Sequence, residues 1–204
     1  MSITTYAELQ STIADFLNRQ DLTATIPAFI SLAEADMRRS LRHWRMEARA
    51  TTNIDTQYSE LPDGWLEMIR MRADNVQLDA VSHSDLLDMT AARNGQSGAP
   101  RYYAITNGTL EVFPVPDKIY SGEMVYFRAI DPLTDAAPSN WVLTEAPDAY
   151  LYGALVHSAP YLQEDGRAAV WGSMYQSAID SLNRNSKKAK YSGTGLRMRI
   201  RGLS

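Results

Sequence analysis

The chain has 204 residues and no cysteine, which excludes a disulfide framework, thiolate metal sites and a cysteine nucleophile. With 45% apolar and 22% charged residues it reads as one globular body, or a body with an appendage, able to bury its own core. The net charge of −4 is uneven: residues 181–204 hold seven cations and no acid, so residues 1–180 carry 13 cations against 24 acids, a net −11. A basic tail on an acidic body suggests a separate partner for the tail. No apolar run approaches the roughly 20 residues that span a bilayer. Met1–Tyr6 lacks a secretory pattern, so synthesis in a reducing cytoplasm is expected.

Thr5 and Glu8 have capping-box spacing, and Tyr6, Leu9, Ile13, Phe16 and Leu17 recur at helical intervals. After a break at Asn18–Asp21, a second helix is expected from Thr25, with Pro27 in its first turn. Its apolar stripe is Ile26, Phe29, Ile30, Ala33, Met37, Leu41 and Trp44. The period then changes. Glu47–Ile54 alternates weakly, Leu61-Pro62-Asp63-Gly64 reads as a turn, and Glu67–Ala73 and Val76–Val81 read as strands split by Asp74-Asn75. A short helix is expected over Ser84–Arg93, ended by Asn94-Gly95. The sharpest local signal is Asn107-Gly108 between Arg101–Thr106 and Thr109–Phe113, a hairpin with a type I′ turn. Pro114 and Pro116 stop its second strand, and Glu123–Ile130 supplies another. Beyond the loop at Asp131–Asn140, helices are expected over Thr144–Gln163 and from Asp165 to Asn185. The stripe of the second is Trp171, Met174, Tyr175, Ala178, Ile179 and Leu182.

This order predicts an α+β fold, mainly α. Helix pairs 1–46 and 144–185 form a bundle, 47–143 is an inserted antiparallel β-rich region with a short helix, and 186–204 is an extended basic tail.

Motifs for chemistry are missing: no phosphate-binding glycine loop, nucleophile elbow or paired metal histidines. His43, His83 and His157 fall in different elements without ligand spacing, which fits packing better than metal binding. Glu34 and Asp36, two apart on a helix, do not face one another, and Asp63 and Glu67 lie in a turn and a strand. Gly193-Thr194-Gly195 neither follows a strand nor opens a helix, so it reads as a linker. The expectation is no enzyme, no cofactor and no metal.

Two basic features remain. Arg38, Arg42, Arg45 and Arg49 would form one stripe at the end of the second helix, suited to inter-subunit ion pairs or to nucleic acid. Leu196-Arg197-Met198-Arg199-Ile200-Arg201 alternates like a strand, apolar on one side and basic on the other. Its apolar side argues for docking onto protein by strand addition.

Several segments occur in a recognisable order: Leu61-Pro62-Asp63-Gly64-Trp65, Gly98-Ala99-Pro100-Arg101-Tyr102-Tyr103, and Leu110-Glu111-Val112-Phe113-Pro114-Val115-Pro116. Ser139-Asn140-Trp141-Val142-Leu143 and Pro147-Asp148-Ala149-Tyr150-Leu151-Tyr152-Gly153 follow. Together they resemble the head–tail adaptor (connector) proteins of tailed bacteriophages over most of residues 1–182. The resemblance implies a homo-oligomeric ring, commonly a dodecamer, beneath the portal of the virion neck, assembled in the host cytoplasm and not on a membrane. Such a ring extends the channel for genomic double-stranded DNA and offers a platform to tail or neck proteins. Lys190, Tyr191, Leu196, Arg197, Met198, Arg199, Ile200 and Arg201 are the candidate portal contacts. Arg38, Arg42, Arg45 and Arg49 are the candidate channel or inter-subunit stripe. The alternative is a nucleic-acid-binding module that uses the tail and the stripe.

Overall fold

Thr5 sets the first helix as its spacing requires: the Glu8 amide donates to its hydroxyl at 3.3 Å, and its own amide donates to the Glu8 carboxylate at 3.1 Å. The computed structural model describes residues 3–92, 95–162 and 165–192. The chain divides into a helical unit, residues 1–44 with 130–204, and a β unit, Arg45–Ala129.

The helical unit holds α1 (Tyr6–Leu17), α2 (Ile26–Ser40), α4 (Trp141–Glu145), α5 (Pro147–Leu162) and α6 (Asp165–Tyr191). Leu9, Ile13, Ile26, Phe29, Ile30, Ala33 and Met37 are buried, so the stripes predicted for α1 and α2 are the core faces, except at Phe16, which is exposed. α5 is apolar almost all round because α1, α2, α4 and α6 all pack on it. Close approach is possible at Gly153, where an added Cβ would meet Ala33 Cβ at 2.9 Å and Tyr175 Cε2 at 3.1 Å.

Three helix boundaries differ from expectation. α2 stops at Ser40 and Leu41 turns extended, at φ −92° and ψ 129°, so Trp44 leaves the helix for a single 3-10 turn, Trp44–Met46. The expected helix from Thr144 instead begins at Trp141, capped by Asn140, and breaks at Ala146. The cause is Pro147, which disfavours helical backbone in the residue before it and opens α5 afresh. Gln163 lies outside the described residues. Third, α6 runs past Asn185 to Tyr191, so the segment expected to open the tail is helical to that point.

The β unit contains β1 (Glu47–Ile54), β2 (Tyr58–Glu60), β3 (Trp65–Ala73), β4 (Val76–Gln77), β5 (Asp79–Ala80), α3 (His83–Ala92), β6 (Tyr102–Thr106), β7 (Thr109–Phe113) and β8 (Tyr120–Arg128). Among the described residues two four-stranded sheets form, ordered β1-β8-β3-β4 and β2-β7-β6-β5. The hairpin is as read: Asn107 and Gly108 sit at φ 49° and 78°, and Thr106 pairs with Thr109. The segment Val76–Val81, expected as one strand, splits at buried Leu78 between the two sheets. β2 was not anticipated, and β5 pairs with β6 in parallel across α3. Ile54, Met71, Leu110, Val112, Met124 and Tyr126 share the main core of this unit. On the other face of the second sheet, Leu86 of α3 covers Ala104 and Phe113.

Candidate functional site

The four arginines do not form one helical stripe. Only Arg38 lies on α2; Arg42 follows it, Arg45 is in the 3-10 turn and Arg49 is in β1. The reason is an alternative set of partners at the end of α2. Asn183 of α6 donates to the Ser40 carbonyl at 3.2 Å and accepts from the Arg42 amide at 2.9 Å. The hydroxyl of buried Ser186 then accepts from the Trp44 amide at 2.8 Å. Arg42 turns its guanidinium back onto the carbonyls of Arg38 and Leu41, at 3.1 and 2.7 Å. Arg49 Nε donates to Glu123 Oε1 at 3.1 Å, at the rim of a cleft of about 420 Å³ shared with Arg72 and Asp74.

The histidines each pack or pair locally. Buried His43 stacks on Trp141 at 4.7 Å between centroids. His157 Nε2 meets Asp36 Oδ2 at 2.7 Å, and Arg39 also donates to that carboxylate. His83 Nδ1 lies 3.0 Å from Glu111 Oε2. Among the described residues no group of three or more His, Asp or Glu converges as a metal set would.

The surroundings of two carboxylates, half-buried Glu34 and buried Glu111, escaped sequence reasoning. Glu34 accepts from the Leu133 amide at 2.8 Å and from the Tyr150 hydroxyl at 3.1 Å. Asn140 donates to the Tyr150 oxygen at 2.7 Å and to the Asp131 carbonyl at 2.9 Å, so the loop 131–140 is tied to α2 and α5. Burial raises the Glu34 carboxyl above the usual range, outweighing its two hydrogen bonds. Burial first, and the Glu34 charge second, push the Tyr150 hydroxyl up as well, so it stays a neutral donor. Glu111, buried in β7, also accepts from Gln57 at 3.0 Å, which leaves each of its oxygens with a partner. A glutamate between Leu110 and Val112 gives no signal of burial in a sequence, because the cover comes from α3.

Of the candidate portal contacts, Lys190 and Tyr191 end α6, with Tyr191 70% exposed. Leu196, Arg197, Met198, Arg199, Ile200 and Arg201 lie outside the described residues, as does Gly193-Thr194-Gly195. No helix among the described residues is long and apolar enough to cross a membrane.

These polar groups fasten elements to one another. The model of the SU10 adaptor protein family matches residues 4–199, nearly the whole chain, and the chain belongs to that family. The membership bears out the resemblance to phage head–tail adaptors, a structural family whose members are virion components. No curated protein matches the chain.

Proposed function

We propose that the protein forms a ring, commonly of twelve copies, beneath the phage portal, extends the DNA channel and offers the tail its attachment platform. The family match carries this reading, since it runs from α1 into the basic C-terminal segment. Lys190, Tyr191 and Leu196–Arg201 are the portal contacts in this reading. The apolar residues of the segment would add as a strand, and Arg197, Arg199 and Arg201 would meet acidic groups. Arg38, Arg42, Arg45 and Arg49 serve subunit contacts or face the passing DNA from separate elements. The nucleic-acid module is less well supported, because its arginines no longer share a helix face.

Co-sedimentation with the portal tests the proposal. The full chain should pellet with the portal, and a chain lacking residues 193–204 should stay in the supernatant with an unchanged thermal melt. Normal attachment of the truncated chain would remove the segment from the docking role.

A further inference from the structure

The β unit is layered. Ile54, Met71, Met124 and Tyr126 of the first sheet meet Tyr103, Leu110 and Val112 of the second in one core. α3, the one α-helix among the described residues of the unit, covers the far face of the second sheet through Leu86. The first sheet has no such cover. Because strand side chains alternate, its outer face carries Arg49 and Thr51 of β1, Glu123 and Val125 of β8, and Arg70 and Arg72 of β3.

The acids beside these arginines are already engaged. Glu123 accepts from Arg49 Nε at 3.1 Å, and Asp74 accepts from the Ser121 amide at 2.9 Å. Arg70 and Arg72 have no acidic partner among the described residues. Two uncompensated guanidiniums, rooted about 7 Å apart on one side of β3, thus stand beside half-buried Val125. On the opposite side of the unit α3 presents the complement. With Leu86 turned inward, about 100° per residue sets Asp88 outward among Ser84, Ala91 and Ala92, small residues that permit close approach. Leu87, 52% exposed, and Asp85 fall on opposite flanks of Asp88. Asp85 accepts from the Ser82 hydroxyl at 2.7 Å, whereas Asp88 has no cationic partner among the described residues.

From these two faces we infer that α3 of one copy lies on the outer face of the first sheet of the next copy, supplying the layer that this sheet lacks. Asp88 then meets Arg70 and Arg72, and Leu87 seats on Val125. Asp85 falls on the β4 side, beside Gln77 and away from Glu123. The contact joins an apolar pair to opposite charges. Nucleic acid fits this face less well, because Glu123 and Asp74 would meet its phosphates. The two faces differ, so the contact is heterologous: each copy keeps one of each for a further neighbour, and a rotation that closes gives a ring. Its place in a neck ring rests on the adaptor reading, whereas the contact itself is tested separately.

The chain has no cysteine, so single variants can be mixed. An equimolar mixture of Leu87→Cys and Val125→Cys chains, concentrated and oxidised, should cross-link about tenfold faster than either variant alone, and faster still with the portal present. Adding Asp88→Arg to the L87C chain, or Arg72→Asp to the V125C chain, should slow the mixture about tenfold. Making both changes together should restore the rate, with thermal melts unchanged. Sedimentation velocity of cysteine-free D88R and R72D chains gives a second reading: each alone should associate less than wild type, and their mixture should regain it. Equal rates in the mixture and the single variants, or no rescue by the charge swap, would overturn the inference. So would loss of DNA retention in R72D with cross-linking indifferent to D88R, which would assign the face to nucleic acid. A ring on the portal without these cross-links would overturn the contact and spare the adaptor reading; cross-links without portal attachment would do the reverse.

Discussion

The helical unit and the β unit are fastened in opposite ways. In the helical unit, side chains far away in sequence finish the backbone: Asn183 reaches Arg42 across 141 residues and Ser186 reaches Trp44 across 142. In the β unit the frame is local, a type I′ turn and an in-register ladder, with one carboxylate locked under a helix. One unit should therefore fail when a remote side chain or a close helix contact is changed, the other when a turn or a register is changed. Four substitutions and one titration probe that contrast.

The largest effect is expected at Gly153→Val. Two added methyl groups must fit where even a Cβ would lie 2.9 Å from Ala33 Cβ. A loss of about 3 kcal/mol should appear in denaturant unfolding of the helical unit. His83→Ala should cost about 1–2 kcal/mol in the β unit, because the buried Glu111 carboxylate keeps only Gln57. The double variant with Glu111→Gln should recover much of that loss, since no unpaired charge then remains. Asn183→Ala should cost about 1 kcal/mol by releasing both the Ser40 carbonyl and the Arg42 amide. Gly108→Val forces a β-branched residue to φ 78° with open space around it, so conformational strain alone sets a cost of about 1 kcal/mol.

The smallest effects concern two glutamates of the helical unit with opposite signs. Hydrogen bonds from Thr4 first, and Thr5, hold the Glu8 carboxyl below its usual value. Its contribution is complete above the unfolded-state value and is lost as pH falls through the folded one. Glu34 is raised by burial, so stability declines as pH rises from the usual carboxylate value through the folded one. Thermal melts should then show Glu34→Gln gaining stability at neutral pH and Glu8→Gln losing it. Both differences should shrink on acidification.

The same contrast explains what was legible in the sequence. The capping box at Thr5, the hairpin at Asn107-Gly108 and the stripes of α1 and α2 depend on residues a few positions apart, and each is where it was expected. The α+β class, mainly α, followed from them. The end of α2 did not, because Leu41 and Trp44 continue its apolar period while Asn183 and Ser186, more than a hundred residues on, draw the backbone out of the helix. The arginine stripe dissolved with that boundary. Glu34 and Glu111 were illegible for a related reason: burial depends on which element covers a residue, here α5 with the 131–140 loop, and α3.

The adaptor reading is tested most directly by electron microscopy of the protein mixed with its portal. The account requires a closed ring of this chain on one face of the portal, coaxial with its channel, with density from the end of α6 reaching the portal. Copies scattered without a ring, or a ring attached through the β unit with the C-terminal segments pointing away, would contradict it.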